Sequence, residues 1–302
     1  MTTYQPKQDQ PEQSIKLKPN ADLGFSFEFF PPKTAQAMAG LWHCIHKLQN
    51  IKPYFFSVTY GAGGSTRFNT YSTVCSIQNI TQIPVAVHLT CLGTSKQNMQ
   101  HMLEDYWKQG IRHVLALRGD KAQHSHTNGE QQEEYSYPYQ LIKAAKTIGD
   151  FKISVAVYPE GHPEALNPQQ EIDILKQKVD EGASQAITQF FFNNHLFYDY
   201  LERVRAAGIN IPIIPGILPI TNFAKTLHFA QKCKVDIPQK VHRTFDQCDS
   251  FDETSMQLIS ADFAVKQCQE LVQQGQIKNF HFYSLNRAEL SLAVCRMLNL
   301  NA

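Results

Sequence analysis

The chain has 302 residues, 42% hydrophobic and 18% charged, long and apolar enough to bury one large core or two smaller ones. Its formal net charge of +1 excludes a broad attraction for nucleic acid or for an anionic membrane surface, so any anionic ligand has to be met by a local pocket. Seven scattered cysteines without CxxC spacing argue against a disulfide framework and a thiolate zinc site, and they fit a reduced, cytoplasmic setting.

Residues 1–20, MTTYQPKQDQPEQSIKLKPN, are polar and lack the apolar centre of a signal peptide. They read as a flexible arm ahead of one domain, 21–302. No apolar run reaches the roughly 20 residues that span a bilayer. Eight short β-rich runs follow in order: FSFEFF from 25, YFFSVTY from 54, VAVHLT from 85, HVLALRG from 113, ISVAVYP from 153, AITQFFF from 186, IPIIPGIL from 211 and FHFYSL from 280. Between them lie amphipathic segments such as MAGLWHCIHKLQNI, NMQHMLEDYWKQGI, YQLIKAAKTIG and EIDILKQKVDEGA. The first seven strands start 25 to 33 residues apart, with one step of 40 where the polar loop 121–136 intervenes. The last gap holds a helix (NFAKTLHFAQKC), an irregular stretch and a second helix, ETSMQLISADFAVKQCQELVQQG. Eight strands alternating with helices predict an α/β fold, a single-domain (β/α)8 TIM barrel, over an open doubly wound sheet.

Residue parity locates the mouth of that barrel. In five strands one parity carries a small residue and, two positions on, a polar one: Ser26 and Glu28, Ser57 and Thr59, Ala86 and His88, Ala116 and Arg118, Ala156 and Tyr158. The other parity is bulky, as in Phe25, Phe27 and Phe29. The small-then-polar parity is read as facing the axis, its polar member at the C-terminal mouth where such barrels hold their sites. Glu28 then stands at the mouth among aromatic rings, where a carboxylate needs a partner or a task.

Several motifs carry competing readings. GAGGSTR, from Gly61, fails the dinucleotide fingerprint at Thr66 and reads as a tight turn between strand and helix. His124 and His126 sit in the polar loop without metal spacing, and no metal is expected. In ALRGD, Arg118 and Asp120 suit either a structural ion pair or a ligand, and their place at a strand's end favours the ligand. YPEGHPEA, Tyr158 to Ala165, also ends a strand with polar groups, followed by Lys176 and Lys178 on a helix. Gln189 is an amide among rings in TQFFF, where it bonds a neighbour or awaits a polar heterocycle. The mouth's carboxylates, amide, imidazole, Arg and rings suit a flat heteroaromatic ligand.

With FSFEFFPPK, SVTYGAGG, HLTC, LRGD, YPEGHPEA, AITQFFF, IIPGILPI and FHFYSLNRAE in this order from about 24 to about 296, the chain resembles the bacterial, FAD-dependent methylenetetrahydrofolate reductases. The resemblance implies an oxidoreductase with FAD at the barrel mouth. NADH or NADPH reduces the flavin and leaves. Methylenetetrahydrofolate then takes the hydride and becomes 5-methyltetrahydrofolate, a methyl donor for methionine synthesis. It implies Glu28 as general acid towards the folate N10, its apolar surround favouring the neutral form, and Asp120 as the charge near flavin and pterin. Implied FAD contacts are Tyr60, Ala62, His88, Arg118, Gly119, Asp120, Tyr158, His162, Ala165, Glu171 and Lys178. Implied substrate contacts are Thr59 for the nicotinamide, Asp120, Gln189, the ring of Phe229, and Arg287 for the folate. Lys225, Ile174 and Gln177 differ from the family's residues and are not carried over. The resemblance further implies a homo-oligomer and, because the barrel ends the sequence, no S-adenosylmethionine-binding domain. A proline-dehydrogenase-type flavin barrel and a noncatalytic pterin-binding barrel are the rival readings.

Overall fold

The computed structural model describes residues 23–60, 64–119, 133–162, 164–165, 167–246 and 252–300. Ala62, Asp120, the proposed arm at 1–20 and most of the polar loop lie outside the described residues.

Eight parallel strands close a barrel in sequence order: β1 (Gly24–Phe29), β2 (Phe55–Val58), β3 (Val85–Thr90), β4 (His113–Leu117), β5 (Lys152–Val157), β6 (Gln185–Phe190), β7 (Ile213–Ile217) and β8 (Asn279–Tyr283). All eight expected strands are present, and β8 pairs with β1 to complete the ring. The helices are α1 (Ala35–Leu48), α2 (Gly64–Thr81), α3 (Lys96–Lys108), α4 (Pro138–Ile148), α5 (Pro168–Asp180), α6 (Asn194–Ala206), α7 (Phe223–Cys233), α8 (Gln239–Phe245), α9 (Glu253–Gly275) and α10 (Glu289–Leu300). Their starts are set by local chemistry. Thr34, Ser95, Asn167, Asn222 and Asp252 each accept a backbone N–H of the first turn. The stretch between α7 and α9 that the sequence presents as irregular contains the two-turn α8, which follows Pro238 and buries Val241 and Phe245.

The core has an outer and an inner part. Phe25, Phe27 and Phe29 join Val85, Val87, Leu89 and helix residues such as Leu41, Ile45 and Leu103 in the layer between strands and helices. Phe55, Ala86, Leu115, Ile187 and Ile214 fill the barrel itself. The side-chain parity therefore holds for β1 and β3 and reverses in β4. His113 and Leu115 face the axis, with the His113 ring 4.6 Å from that of Phe55, while Ala116 belongs to the outer layer. The reason is local. The small Ala116 leaves room on the helix side of the strand for a cavity, and Arg118 lines that cavity with it.

Gly216 in β7 is required by close approach. A Cβ there would fall on the Thr188 carbonyl oxygen and the Tyr283 ring, and its N–H donates to Thr188 Oγ1 at 2.8 Å. This contact lies beside the register shift in β6 between Ile187 and Phe190. It lets Tyr283 donate to Thr188 O at 2.8 Å.

Candidate active site

The centre of the site is a carboxylate among imidazoles. Register pairs Glu28 with Ser57 on one side and Tyr283 on the other, and Ser26 with His281. The Glu28 side chain is 12% exposed, with Oε2 3.6 Å from His88 Nε2 and 3.9 Å from His281 Nε2. Burial drives the His88 pKa down from 6.5 to about 4 against the opposing pull of Glu28, so the ring is neutral at pH 7 and the contact is not an ion pair. Neither Nε2 atom nor Ser57 Oγ has a hydrogen-bond partner among the described residues. Two unpartnered imidazole nitrogens thus lie within 4 Å of the carboxyl group, and the unpartnered Ser57 hydroxyl belongs to its register neighbour, a pattern that native interiors keep for a ligand or a reaction. Tyr283, also raised well above its ordinary pKa by burial and by Glu28, is spent on the Thr188 carbonyl.

Below this layer His113 bonds Ser154 Oγ at 2.7 Å, and Gln185 donates to the same oxygen at 2.8 Å. Burial lowers the His113 pKa to about 3, reinforced by Lys152. The unfolded chain takes up protons on His88 and His113 near pH 6.5, whereas the folded chain does not until about pH 4 and about pH 3. Unfolding therefore binds protons in that window, and stability is expected to fall as pH drops below 6.5, by up to about 1.4 kcal/mol per pH unit for each histidine. Urea midpoints at pH 7, 6 and 5 check this. His113→Gln should flatten the slope, and an unchanged slope in that variant would contradict the account.

Beside the mouth, between the ends of β4 and β5 and helices α4 and α5, lies a cavity of about 230 Å³ lined by Arg118, Tyr158, His162, Glu171 and Lys178, among others. Arg118 Nη2 pairs with Glu164 Oε2 at 2.8 Å, and its Nε is buried without a partner. Lys178 is buried and donates to Ala156 O at 3.1 Å; desolvation lowers its pKa to about 8 against Glu171 and Cys91. Glu171 accepts the His162 N–H at 3.0 Å, and burial raises its pKa. The Tyr158 and His162 rings meet edge to face at 4.7 Å. Of the residues assigned to a cofactor, Arg118, Tyr158, His162, Ala165, Glu171 and Lys178 share this cavity.

The remaining assigned residues spread around the rim. His88 belongs to the axial cluster. Tyr60 Oη lies 3.3 Å from Thr94 Oγ1. Gly119 has φ +84, and a Cβ there would sit 2.9 Å from Thr90 Cβ, so backbone comes close where a side chain would block it. Thr59 follows β2, its N–H bonded to Phe29 O. Gln189 Oε1 accepts the Phe190 N–H at 3.0 Å, leaving its NH2 group for other partners. Phe229 stacks on Phe190 at 5.2 Å, and Phe190 meets Tyr283 at 6.1 Å. Arg287 is exposed in the turn after β8. Sequence reasoning missed His281, Tyr283 and Arg67. The last donates to Gly93 O at 2.5 Å and Thr94 Oγ1 at 2.8 Å. His281 was legible: it alternates with Phe280 and Phe282, as Glu28 does with its phenylalanines.

Fold and site together define a barrel with a largely buried carboxyl group among imidazoles at its axis and, beside its mouth, a cavity carrying cations and rings. The chain belongs to the methylenetetrahydrofolate reductase family, whose family model matches residues 13–299, and is thereby an oxidoreductase of one-carbon metabolism. It is 43% identical over 276 residues to 5,10-methylenetetrahydrofolate reductase of Escherichia coli K12 and 42% identical to that of Pectobacterium carotovorum, covering 91% of this chain and 90% of each relative. Methylenetetrahydrofolate reductase (NADH) 1 of Arabidopsis thaliana is 33% identical, with 94% of this chain matching half of that protein. A solved Clostridium thermocellum protein, described as binding two copies of 5-methyl-5,6,7,8-tetrahydrofolic acid, has a TM-score of 0.60 at 14% identity over 93% of this chain and 96% of its own; it shows a shared fold. Among the described residues no helix is long and apolar enough to cross a membrane.

Proposed function

We propose that the chain reduces 5,10-methylenetetrahydrofolate to 5-methyltetrahydrofolate with NADH or NADPH through FAD in a ping-pong cycle, supplying methyl groups for methionine synthesis. The observation that carries this reading is Glu28 at the barrel axis beside a cavity whose donors suit a dinucleotide. Arg118 with its unpartnered Nε and the buried Lys178 would meet the phosphates, and Tyr158 and His162 offer faces and edges to rings. Gly119 leaves backbone space. Tyr60, Ala62, His88, Asp120, Ala165 and Glu171 complete the assigned contacts. When bound, FAD supplies the two-electron carrier that lets one site serve nicotinamide and folate in turn.

The chain's own residues do the rest. Thr59 contacts the nicotinamide. Gln189 and Phe229 hold whichever heterocycle occupies the mouth, and Arg287 meets the folate's acidic tail. Glu28 gives its proton to the folate N10, and the five-membered ring opens to an iminium that accepts hydride at the one-carbon unit. Asp120 places a negative charge near that cation.

Purified protein should take up FAD stoichiometrically, show flavin absorbance, and give parallel initial-velocity lines when NAD(P)H and methylenetetrahydrofolate are varied together. A chain that binds tetrahydrofolates but no flavin would instead be the noncatalytic barrel.

A further inference from the structure

We propose that Ser26 and His281 are positioning residues for folate reduction: they hold an imidazole lone pair against Glu28 that accepts a hydrogen bond from the carboxyl group between turnovers, leaving the proton on Glu28 and fixing the carboxyl's orientation. This rests on the reading of Glu28 as proton donor.

The tautomer follows from counting protons. Ser26 Oγ lies 3.3 Å from Phe280 O and 2.8 Å from His281 Nδ1. A carbonyl only accepts, and the hydroxyl has one proton. Both contacts are satisfied together when Ser26 donates to Phe280 O and Nδ1–H donates to Ser26 Oγ. In that tautomer the ring's lone pair lies on Nε2. That atom is buried, without a hydrogen-bond partner, and 3.9 Å from Glu28 Oε2. A lone pair there can accept a hydrogen bond from a carboxylic acid and gives an ionised carboxylate nothing to bond. A small rotation of the carboxyl group closes the gap, as catalytic contacts tighten when substrate binds.

The ring is held by two aromatic neighbours. Phe55 stacks against it at 5.8 Å with 16° between planes, and Tyr283 meets it edge-on at 5.5 Å. The other titratable groups facing Glu28 do not supply the same service. His88 Nε2 from β3 lies 3.6 Å away, but among the described residues no hydrogen bond at its other ring nitrogen fixes its tautomer as Ser26 fixes that of His281, and the Tyr283 phenol from β8 is committed to Thr188 O. His113 and Lys152 act on this cluster from the layer below. Among the described residues no Lys or Arg forms an ion pair with Glu28.

The test compares Ser26→Ala, His281→Phe and Glu28→Gln in separated half-reactions across pH. Flavin uptake and urea midpoints verify folding. Ser26→Ala and His281→Phe should each slow reoxidation of reduced protein by methylenetetrahydrofolate about tenfold and move the alkaline limb of its pH profile down by about one unit. Reduction by NAD(P)H should change much less, and Ser26→Thr, which keeps the hydroxyl, should restore the profile. Equal losses in both half-reactions, or an unmoved pH profile while Glu28→Gln is inactive towards folate, would overturn the positioning role alone. Full folate activity in Glu28→Gln would overturn the underlying reading.

Discussion

Replacing Glu28 by Gln is expected to leave NAD(P)H oxidation with an artificial electron acceptor near the parent rate while lowering methylenetetrahydrofolate reduction by about 10²-fold or more. The amide keeps the size and polarity of the acid but has no carboxyl proton to give. The folate ring opens to an electrophile only when N10 is protonated, so the loss falls on one half of the cycle. The geometry supports that division. Glu28 stands on the axis among the neutral His88, the buried His281 and the unpartnered Ser57 hydroxyl, whereas the cations assigned to the cofactor lie in the side cavity. Steady-state rates with both acceptors measure the split. Equal rates of folate reduction in variant and parent would remove Glu28 from the mechanism.

Lys178→Met is expected to weaken FAD binding by about 10- to 100-fold, the loss of one charge-assisted hydrogen bond worth about 1.5–3 kcal/mol. Met preserves the apolar stem packed in the cavity and removes only the ammonium. Because burial has brought the Lys178 pKa down to about 8, the parent's affinity should also decline as pH rises through that value, when the side chain loses its charge. The variant, already uncharged at this position, should lack that decline. Fluorescence titration of flavin-free protein at pH 7 and pH 9 measures both effects. Unchanged affinity in the variant would move the phosphates away from Lys178.

Much of this architecture was legible because strands in a closed barrel obey a two-residue period. Glu28 and His88 reach the axis as that period requires, and the phenylalanines of β1 pack outward against the helices. The same rule misplaced Ala116. A small residue marks the inner face only where the interior is crowded; in β4 the interior takes His113 and Leu115, and the small side chain opens the outer cavity. Helix α8 stayed hidden because its seven residues show too little period to stand out, and its burial depends on contacts such as Phe223 against Phe245. The cavity could not be read as a unit. Its cations come from a strand end and a helix sixty residues apart, and the Arg118 to Glu164 pair forms only when the loop after β5 folds back. The family resemblance named Arg118 and Lys178 separately; the fold puts them around one space.

The most direct test of the account separates the two halves of the cycle. Under anaerobic conditions, one equivalent of NAD(P)H should bleach the FAD-loaded protein with no folate present. Methylenetetrahydrofolate added after removal of the oxidised nicotinamide should restore the flavin spectrum and yield one equivalent of 5-methyltetrahydrofolate. Flavin that stays oxidised until both substrates are present, or a reduced protein that methylenetetrahydrofolate cannot reoxidise, would contradict it.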